Sequence, residues 1–169
     1  MTTGDMVDLT TQIAILRLSE IYIGSGNYTS AEINTHCADK TVLATELSTN
    51  LEKLGDLSEK PFKADSKVDT LKTKHHVFEG KRTTTFEATI NGISQAKKDL
   101  LEGISKNGTT ITMIGVNDDK SQALIMNGLT WTAAWSGEEG GLWTMVLSTE
   151  YTGPTTDAFV VKHAIPDAS

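Results

Sequence analysis

A mainly β fold with a single flanking helix is what this sequence predicts, and three features carry the expectation. First, Leu129-Thr-Trp-Thr-Ala-Ala-Trp-Ser136 sets Leu129, Trp131, Ala133 and Trp135 against Thr130, Thr132 and Ser136. That alternation marks a strand with one face buried. Beyond Gly137-Glu-Glu-Gly-Gly141, the side chains of Trp143, Met145, Leu147 and Tyr151 again share a face, so the two strands are expected to form an antiparallel hairpin. Second, residues 67–90 read as a long hairpin, polar on both faces over its distal half: Lys67–Phe78, a turn at Glu79-Gly80, then Lys81–Ile90 with Phe86, Ala88 and Ile90 on one face. Third, Ser94 suits the N-cap of a helix over 94–103, with Ala96, Leu100, Leu101 and Ile104 as a narrow apolar stripe and Gly103 as its stop. All three tryptophans fall in the first of these stretches, and aromatic rings bury large areas, so much of the core is expected there.

The other segments follow in order. Residues 1–11 are polar and read as an N-terminal arm. Gln12–Leu18 and Glu20–Ile23 are β-rich and end at Gly24-Ser-Gly26. Those glycines suit a turn or bulge; no Lys-Thr pair or helical pattern follows them, as a phosphate-binding loop requires. Asn27–Lys40 reads as loop. Thr41–Leu54 is two-sided: Leu43, Leu47, Leu51 and Leu54 have helical spacing with Gly55 as a stop, whereas Thr41-Val-Leu-Ala-Thr45 suits a strand. A strand start with a partly helical continuation is the expectation. Residues 49–66, charged and holding Pro61, are expected to be an exposed loop. Thr109–Gly115 and Ala158–Lys162 read as strands, Val116–Ser121 as a polar turn, Asn127-Gly128 as a tight turn or bulge, and Pro166 closes a polar tail. The whole of 1–169 is expected to be one domain.

Composition narrows the function classes. Net charge is −7, from 22 acids against 15 bases. The basic footprint of a nucleic-acid binder is absent, although an acidic surface suits a conduit that DNA slides through. A lone cysteine, Cys37, excludes an internal disulfide and a multi-cysteine metal site, and reads as a small, half-buried residue. No apolar run reaches membrane-span length, and the N-terminus lacks the pattern of a signal peptide, so synthesis in a cytoplasm is expected.

His75-His76 and His36-Cys37 are sequence neighbours; in a strand such neighbours point to opposite faces, a poor arrangement for one metal. Asp118-Asp119 and Glu138-Glu139 sit in predicted turns, where carboxylates are solvated and keep no special acidity. Calcium-loop spacing, a Gly-x-Ser-x-Gly elbow and an RNA-binding strand are all missing. Trp131, Trp135 and Trp143 could line a sugar site, but at period two on strands they read as core. Lys97-Lys98 reads as the solvated face of the helix. No catalytic, cofactor-binding or metal-binding residue is assigned, and an enzyme is not expected.

The order of elements carries a resemblance. A β-start ends in Ile21-Tyr-Ile-Gly-Ser-Gly26. A variable polar loop follows, then a long polar hairpin containing Glu79-Gly-Lys-Arg-Thr-Thr-Thr85, one helix at Ser94–Glu102, and a meander with Ile125-Met-Asn-Gly128 and Trp143-Thr-Met-Val-Leu-Ser148. Over most of its length this resembles the tail tube (major tail) proteins of long-tailed bacteriophages. The leucine-rich segment Thr41–Leu54 departs from that pattern, and the N-terminal arm has no assigned place in it. The resemblance implies two packed antiparallel sheets, a β-sandwich or partial barrel, flanked by the helix. It implies hexameric rings whose inner sheets join into one barrel, stacking into a hollow tube through which DNA passes without specific binding. It also implies other tail proteins (initiator, baseplate, terminator) as partners, no cofactor, no membrane, and a place in the virion tail after synthesis in the host cytoplasm. Residues 67–90 and parts of the final meander would face the channel. The 49–66 loop and the arm would reach the adjacent ring, and Lys72, Lys74, Lys81 and Arg82 would sit at contacts between subunits or rings. Two rival readings are another phage ring component (terminator, neck or baseplate) and a carbohydrate-binding β-sandwich.

Overall fold

The computed structural model describes residues 18–153, 158–162 and 164–168, with the backbone alone for 55–61. The arm at 1–11 and the β-rich Gln12–Arg17 lie outside these residues. Among the described residues eight strands run in chain order: β1 (Glu20–Ser25), β2 (Glu52–Lys72), β3 (Val77–Asn91), β4 (Thr110–Val116), β5 (Ala123–Thr130), β6 (Thr132–Ser136), β7 (Thr144–Thr152) and β8 (Phe159–Lys162). Hydrogen-bonded neighbours follow the order β6-β7-β3-β2-β1-β4-β5-β8, and every neighbouring pair is antiparallel. The long β2 belongs to two sheets. Its start pairs with β1 in a sheet with β4, β5 and β8; its remainder pairs with β3 in a sheet with β7 and β6. The crossing point is visible in the register: Leu57 pairs with Ile90 and Phe62 with Ala88, so residues 58–61 of β2 face only Thr89. The mainly β, two-sheet class expected from the sequence is the class observed.

The sheets face each other across one core. Ile21, Ile23, Ile111, Met113, Leu124 and Met126 come from the β1-β4-β5 side, and Phe86, Ala88, Ile90, Met145 and Leu147 from the β3-β7 side. On β4 and β5 the alternate side chains, Ile114, Val116, Ala123 and Ile125, build a second core on the opposite face with Ile33, Leu43, Leu47 and Ile165. Burial on both faces explains why these two strands read as continuous apolar runs. The cover on that second face is a helical layer, α1 (Ser30–His36) and α2 (Lys40–Asn50). A capping box starts α1: Glu32 N–H donates to Thr29 Oγ1 (3.2 Å) and Thr29 N–H to Glu32 Oε2 (3.0 Å). Asp39 caps α2 by accepting from Val42 N–H at 2.8 Å. Leu43 and Leu47, one turn apart, are the buried pair of α2; each buried leucine stabilises by about 1.5–3 kcal/mol. The third helix, α3 (Gln95–Asn107), is capped by Ser94, as expected, and packs Leu101 into the first core.

Several expectations are corrected. Asn27–Lys40 is not loop throughout, since α1 occupies its centre, and Thr41–Asn50 is helix with no strand start. Residues 49–66 are the end of α2 and the first part of β2, not an exposed loop. The hairpin turn lies at 73–76, with Thr73 N–H bonded to His76 O at 2.8 Å, so Glu79-Gly80 is inside β3. There Val68 pairs with Arg82 and Thr70 with Glu79, leaving Gly80 and Lys81 opposite Asp69 alone: a bulge. A Cβ on Gly80 would stand 3.0 Å from the Asp69 carbonyl, which accounts for a glycine where a turn was expected. Gly103 does not stop α3; Gly108 does, with φ 63°. Asn127-Gly128 is the bulge reading of the two that were open, because Ile111 pairs with Leu129 but Met113 with Met126.

Candidate assembly interface

Among the described residues, nothing packs on the outer face of the β6-β7-β3-β2 sheet. Side chains opposite one another across an antiparallel ladder share a face, so the register reads out rows. Lys63, Glu87, Ser148 and Thr132 form one row; Asp65, Thr85 and Glu150 the next; Lys67, Thr83 and Thr152 a third. No helix covers this surface among the described residues, in contrast to the outer face of β4-β5. An open depression of about 530 Å³ lies against it, lined by Lys63, Asp65, Thr85, Glu87, Thr132 and Glu150 among others. Its chemistry is solvated carboxylates, hydroxyls and ammonium groups, with Lys63 Nζ 3.6 Å from Asp65 Oδ2.

The borders of this sheet are open too. Beta1 pairs only with Glu52–Asp56 of β2; from Phe62 to Lys72, β2 has β3 on one side and, among the described residues, no strand on the other. Which amides point outward follows from one bond. Gly153 N–H donates to Arg82 O at 3.0 Å, so on β3 the even-numbered backbone groups face β7 and the odd-numbered face β2. Thr83, Thr85 and Glu87 therefore bond Lys67, Asp65 and Lys63, and the free edge of β2 is made by the backbone groups of Phe62, Ala64, Ser66 and Val68. The opposite border is β6. Ala133 N–H turns away from β7 to donate to Ser105 Oγ of α3 at 3.2 Å; by the same alternation Trp135 is the next backbone position facing outward. Among the described residues one edge is thus long and without a partner strand, the other short and partly held by α3.

The three tryptophans divide between core and surface. Trp131 is buried at 3% exposure, but Trp135 and Trp143 are 47% and 39% exposed, which corrects the expectation that all three fill the core. Their rings stack at 5.0 Å and 9°. Lys98 Nζ lies 5.1 Å from the Trp135 ring centre, and Gly137 backs Trp143, where an added Cβ would meet the ring at 3.1 Å. Lys98 is correspondingly not a solvated lysine: it also reaches Glu102 Oε1 at 3.2 Å.

The remaining candidates are scattered. His75 and His76 lie at the exposed hairpin tip. His36 Nδ1 is 3.5 Å from Glu46 Oε2, and Glu46 Oε1 accepts the Tyr28 hydroxyl at 2.8 Å. Burial, helped by Glu46, pushes the Tyr28 hydroxyl well above the ordinary phenol range. Cys37 is buried, and that burial raises its thiol. Asp119 accepts from Ser121 N–H at 3.0 Å in the β4–β5 turn; its carboxyl is lowered mainly by Ser121. Glu138-Glu139 lie exposed in the β6–β7 connection. Among the described residues no three His, Cys, Asp or Glu side chains gather to hold a metal ion, and no helix is long and apolar enough to cross a membrane. No protein-family model matches the chain, and no curated protein matches it closely enough to be counted a relative.

Proposed function

We propose that the protein is a structural subunit that closes edge to edge into rings around a polar channel, and that it serves as a tail tube protein of a long-tailed bacteriophage. The observation that supports this is the four-stranded β6-β7-β3-β2 sheet with open borders and a bare polar face. Because each neighbouring pair is antiparallel, β6 and β2 run in opposite directions. Setting β6 of one copy beside β2 of the next therefore continues an antiparallel sheet without a break. The contact joins two different borders, so repeating it generates a ring if the rotation closes, and closure removes the edges that would otherwise template aggregation. At β6 the docking exchanges the Ser105 bond for a neighbour's carbonyl.

Six copies, the number the family resemblance implies, contribute four strands each, 24 in all. At about 4.8 Å between strands and a tilt of about 40°, such a barrel has a diameter of roughly 48 Å. Side chains on the inner wall leave a bore on the order of 35 Å, wider than a DNA duplex. The lining would carry Asp65, Glu87 and Glu150 with Thr83, Thr85, Ser148 and Thr132, and of the bases Lys63 and Lys67. A wall of hydroxyls with more acids than bases does not grip phosphate. The place of such a protein is the virion, beside the initiator, baseplate and terminator proteins that bound the tube. Negative-stain microscopy of the purified protein is the test. Hollow rings or tubes are expected; a monomer at high concentration that stays monomeric on prolonged incubation contradicts the proposal.

A further inference from the structure

Asparagine followed by glycine occurs three times, at Asn91-Gly92, Asn107-Gly108 and Asn127-Gly128. In such a pair the glycine nitrogen can attack the asparagine side-chain carbonyl, because no Cβ on the second residue hinders the approach. The fold holds the three pairs differently. Asn127 is buried, at 5% exposure. Its side chain brackets the Tyr28 backbone and accepts from Thr112 Oγ1 at 3.1 Å, while Gly128 N–H donates to Thr112 Oγ1 at 3.1 Å. Asn91 accepts from Thr144 Oγ1 at 3.3 Å, and Gly92 N–H is bonded to Trp143 O at 2.8 Å, at the end of the β3–β7 ladder. Asn107 is exposed, and among the described residues no hydrogen bond holds its side chain. Gly108 N–H is shared between Ile104 O and Ser105 O, the latter at 3.4 Å. The space beside Gly108 is open, with no atom within 4 Å of where a Cβ would stand.

Asn107 is the last residue of α3, and Gly108 is its left-handed cap at φ 63°. Helical backbone angles turn the Gly108 nitrogen away from the Asn107 side chain, so reaction waits for the last turn to fray. That opening breaks bonds only at an exposed helix end, where local unfolding costs little. At Gly92 it means unpicking a sheet, and at Gly128 opening the core. We propose that Asn107 is a site of spontaneous deamidation, and that its conversion loosens the hold of α3 on β6. The Gly108 amide gives its proton to solvent base, its nitrogen bonds to Asn107 Cγ, and the Cγ–Nδ2 bond breaks as the side-chain nitrogen takes a proton and leaves as ammonia. Water then opens the cyclic imide. Opening at the Cγ carbonyl leaves aspartate; opening at the main-chain carbonyl leaves isoaspartate, with the backbone rerouted through Cβ and Cγ. Either product sets a carboxylate at a helix C-terminus, where unpaired carbonyls already carry partial negative charge. Isoaspartate also lengthens the main chain by a methylene between α3 and its cap, which draws the Gly108 and Thr109 amides from the Ile104 and Ser105 carbonyls. Ser105 is the residue whose hydroxyl accepts from Ala133 N–H on β6 at 3.2 Å.

Ageing the full chain in warm, mildly alkaline buffer is the test, read by peptide mapping with mass spectrometry and by an isoaspartate-specific methyltransferase. Aspartate and isoaspartate are expected at position 107, forming at least about tenfold faster than at Asn91, where a firm sheet bond must break first. Asn127 should stay intact. In the dilute protein, amide exchange at Ala133 should quicken as position 107 converts. Asn107→Gln keeps an exposed amide on a longer side chain that cyclises far more slowly, and it should hold Ala133 at its starting rate through the same ageing. Both readouts are taken on the subunit, whether or not it forms rings. Conversion at Asn91 as fast as at Asn107, or an intact Asn107 after ageing that fully converts a free Asn-Gly peptide, overturns the site. Exchange at Ala133 that is the same before and after conversion overturns the coupling to β6.

Discussion

A proline at position 64 separates folding from assembly. The Ala64 amide lies on the free side of β2, because the hydrogen-bonded partners of β3 are Lys63, Asp65 and Lys67. Proline there removes a donor that no strand among the described residues uses, and prolines are tolerated at edges whose N–H faces solvent. Lys63, the preceding residue, is already extended, as a residue before proline must be. The cost to the isolated fold should be no more than about 1 kcal/mol, the small end of proline effects at compatible sites. In the ring the same position becomes the middle of a continuous sheet, where a missing donor and an intruding ring cost about 3 kcal/mol. That is roughly a hundredfold in affinity at each junction. Asp65→Pro is the control: its amide belongs to the β2–β3 ladder, so the fold itself should lose about 3 kcal/mol. Urea titration reads the fold and sedimentation velocity reads the assembly. If Ala64→Pro assembles like wild type, the β2 border is not where subunits meet. If it unfolds as readily as Asp65→Pro, the assignment of inward and outward amides is wrong.

Three further outcomes follow from the packing. Asn127 Oδ1 accepts from Tyr28 N–H at 2.8 Å, and Asn127 Nδ2 donates to Tyr28 O at 2.5 Å; Asn127→Ala strands both backbone groups and should cost about 2–3 kcal/mol, lowering Tm by about 5–12 °C, with no change in the urea midpoint contradicting it. Gly80→Val places side-chain atoms against the Asp69 carbonyl and should loosen the distal hairpin alone, seen as faster amide exchange at 70–79 with the global midpoint nearly unchanged; slower or equal exchange there refutes the bulge's role. Burial, then Glu20, raises the Tyr22 hydroxyl to about 12, and burial, then Glu46, raises Tyr28 further. A tyrosine whose folded value lies above its unfolded value of about 10 stabilises fully below that pH, and the contribution is lost as pH rises through the folded value. The urea midpoint should therefore hold to about pH 10 and fall above it, less steeply in Tyr22→Phe/Tyr28→Phe; an unchanged fall shows that other groups govern it.

The strands with one buried face were legible because their alternation was clean. Met145, Leu147 and Thr149 on β7, and Phe86, Ala88 and Ile90 on β3, point inward as the period-two pattern requires. The helical layer was only partly legible: the leucine spacing of Thr41–Leu54 pointed to a helical continuation, but α1 and the start of α2 were hidden. The buried residue of α1 is Ile33 alone, and α2 buries only Leu43 and Leu47 amid Thr and Val, a stripe too thin to outweigh β-branched residues. A local signal did exist, in Thr29-x-x-Glu32 and Asp39. Only the distal part of β2, from Lys67, was legible as strand; its first part, Glu52–Ser66, reads as loop because Gly55, Pro61 and the run of charges leave no alternation to mark it. The tryptophans show the limit of face assignment. Trp135 shares a face with the buried Met145, yet it lies near the sheet's end, where Trp143 and Lys98 cover it in place of the core. The candidate interface was legible only as a polar hairpin. An open border is defined by the strand that is absent from it, and the identity of that neighbour is not written in local pattern.

Amide hydrogen exchange on the assembled protein bears most directly on the central claim of edge-to-edge joining. Protection at Phe62, Ala64, Ser66 and Val68 should rise sharply between the dilute monomer and the assembly, while Lys63, Asp65 and Lys67 are protected in both. Equal, fast exchange of the first four amides in both states would contradict it.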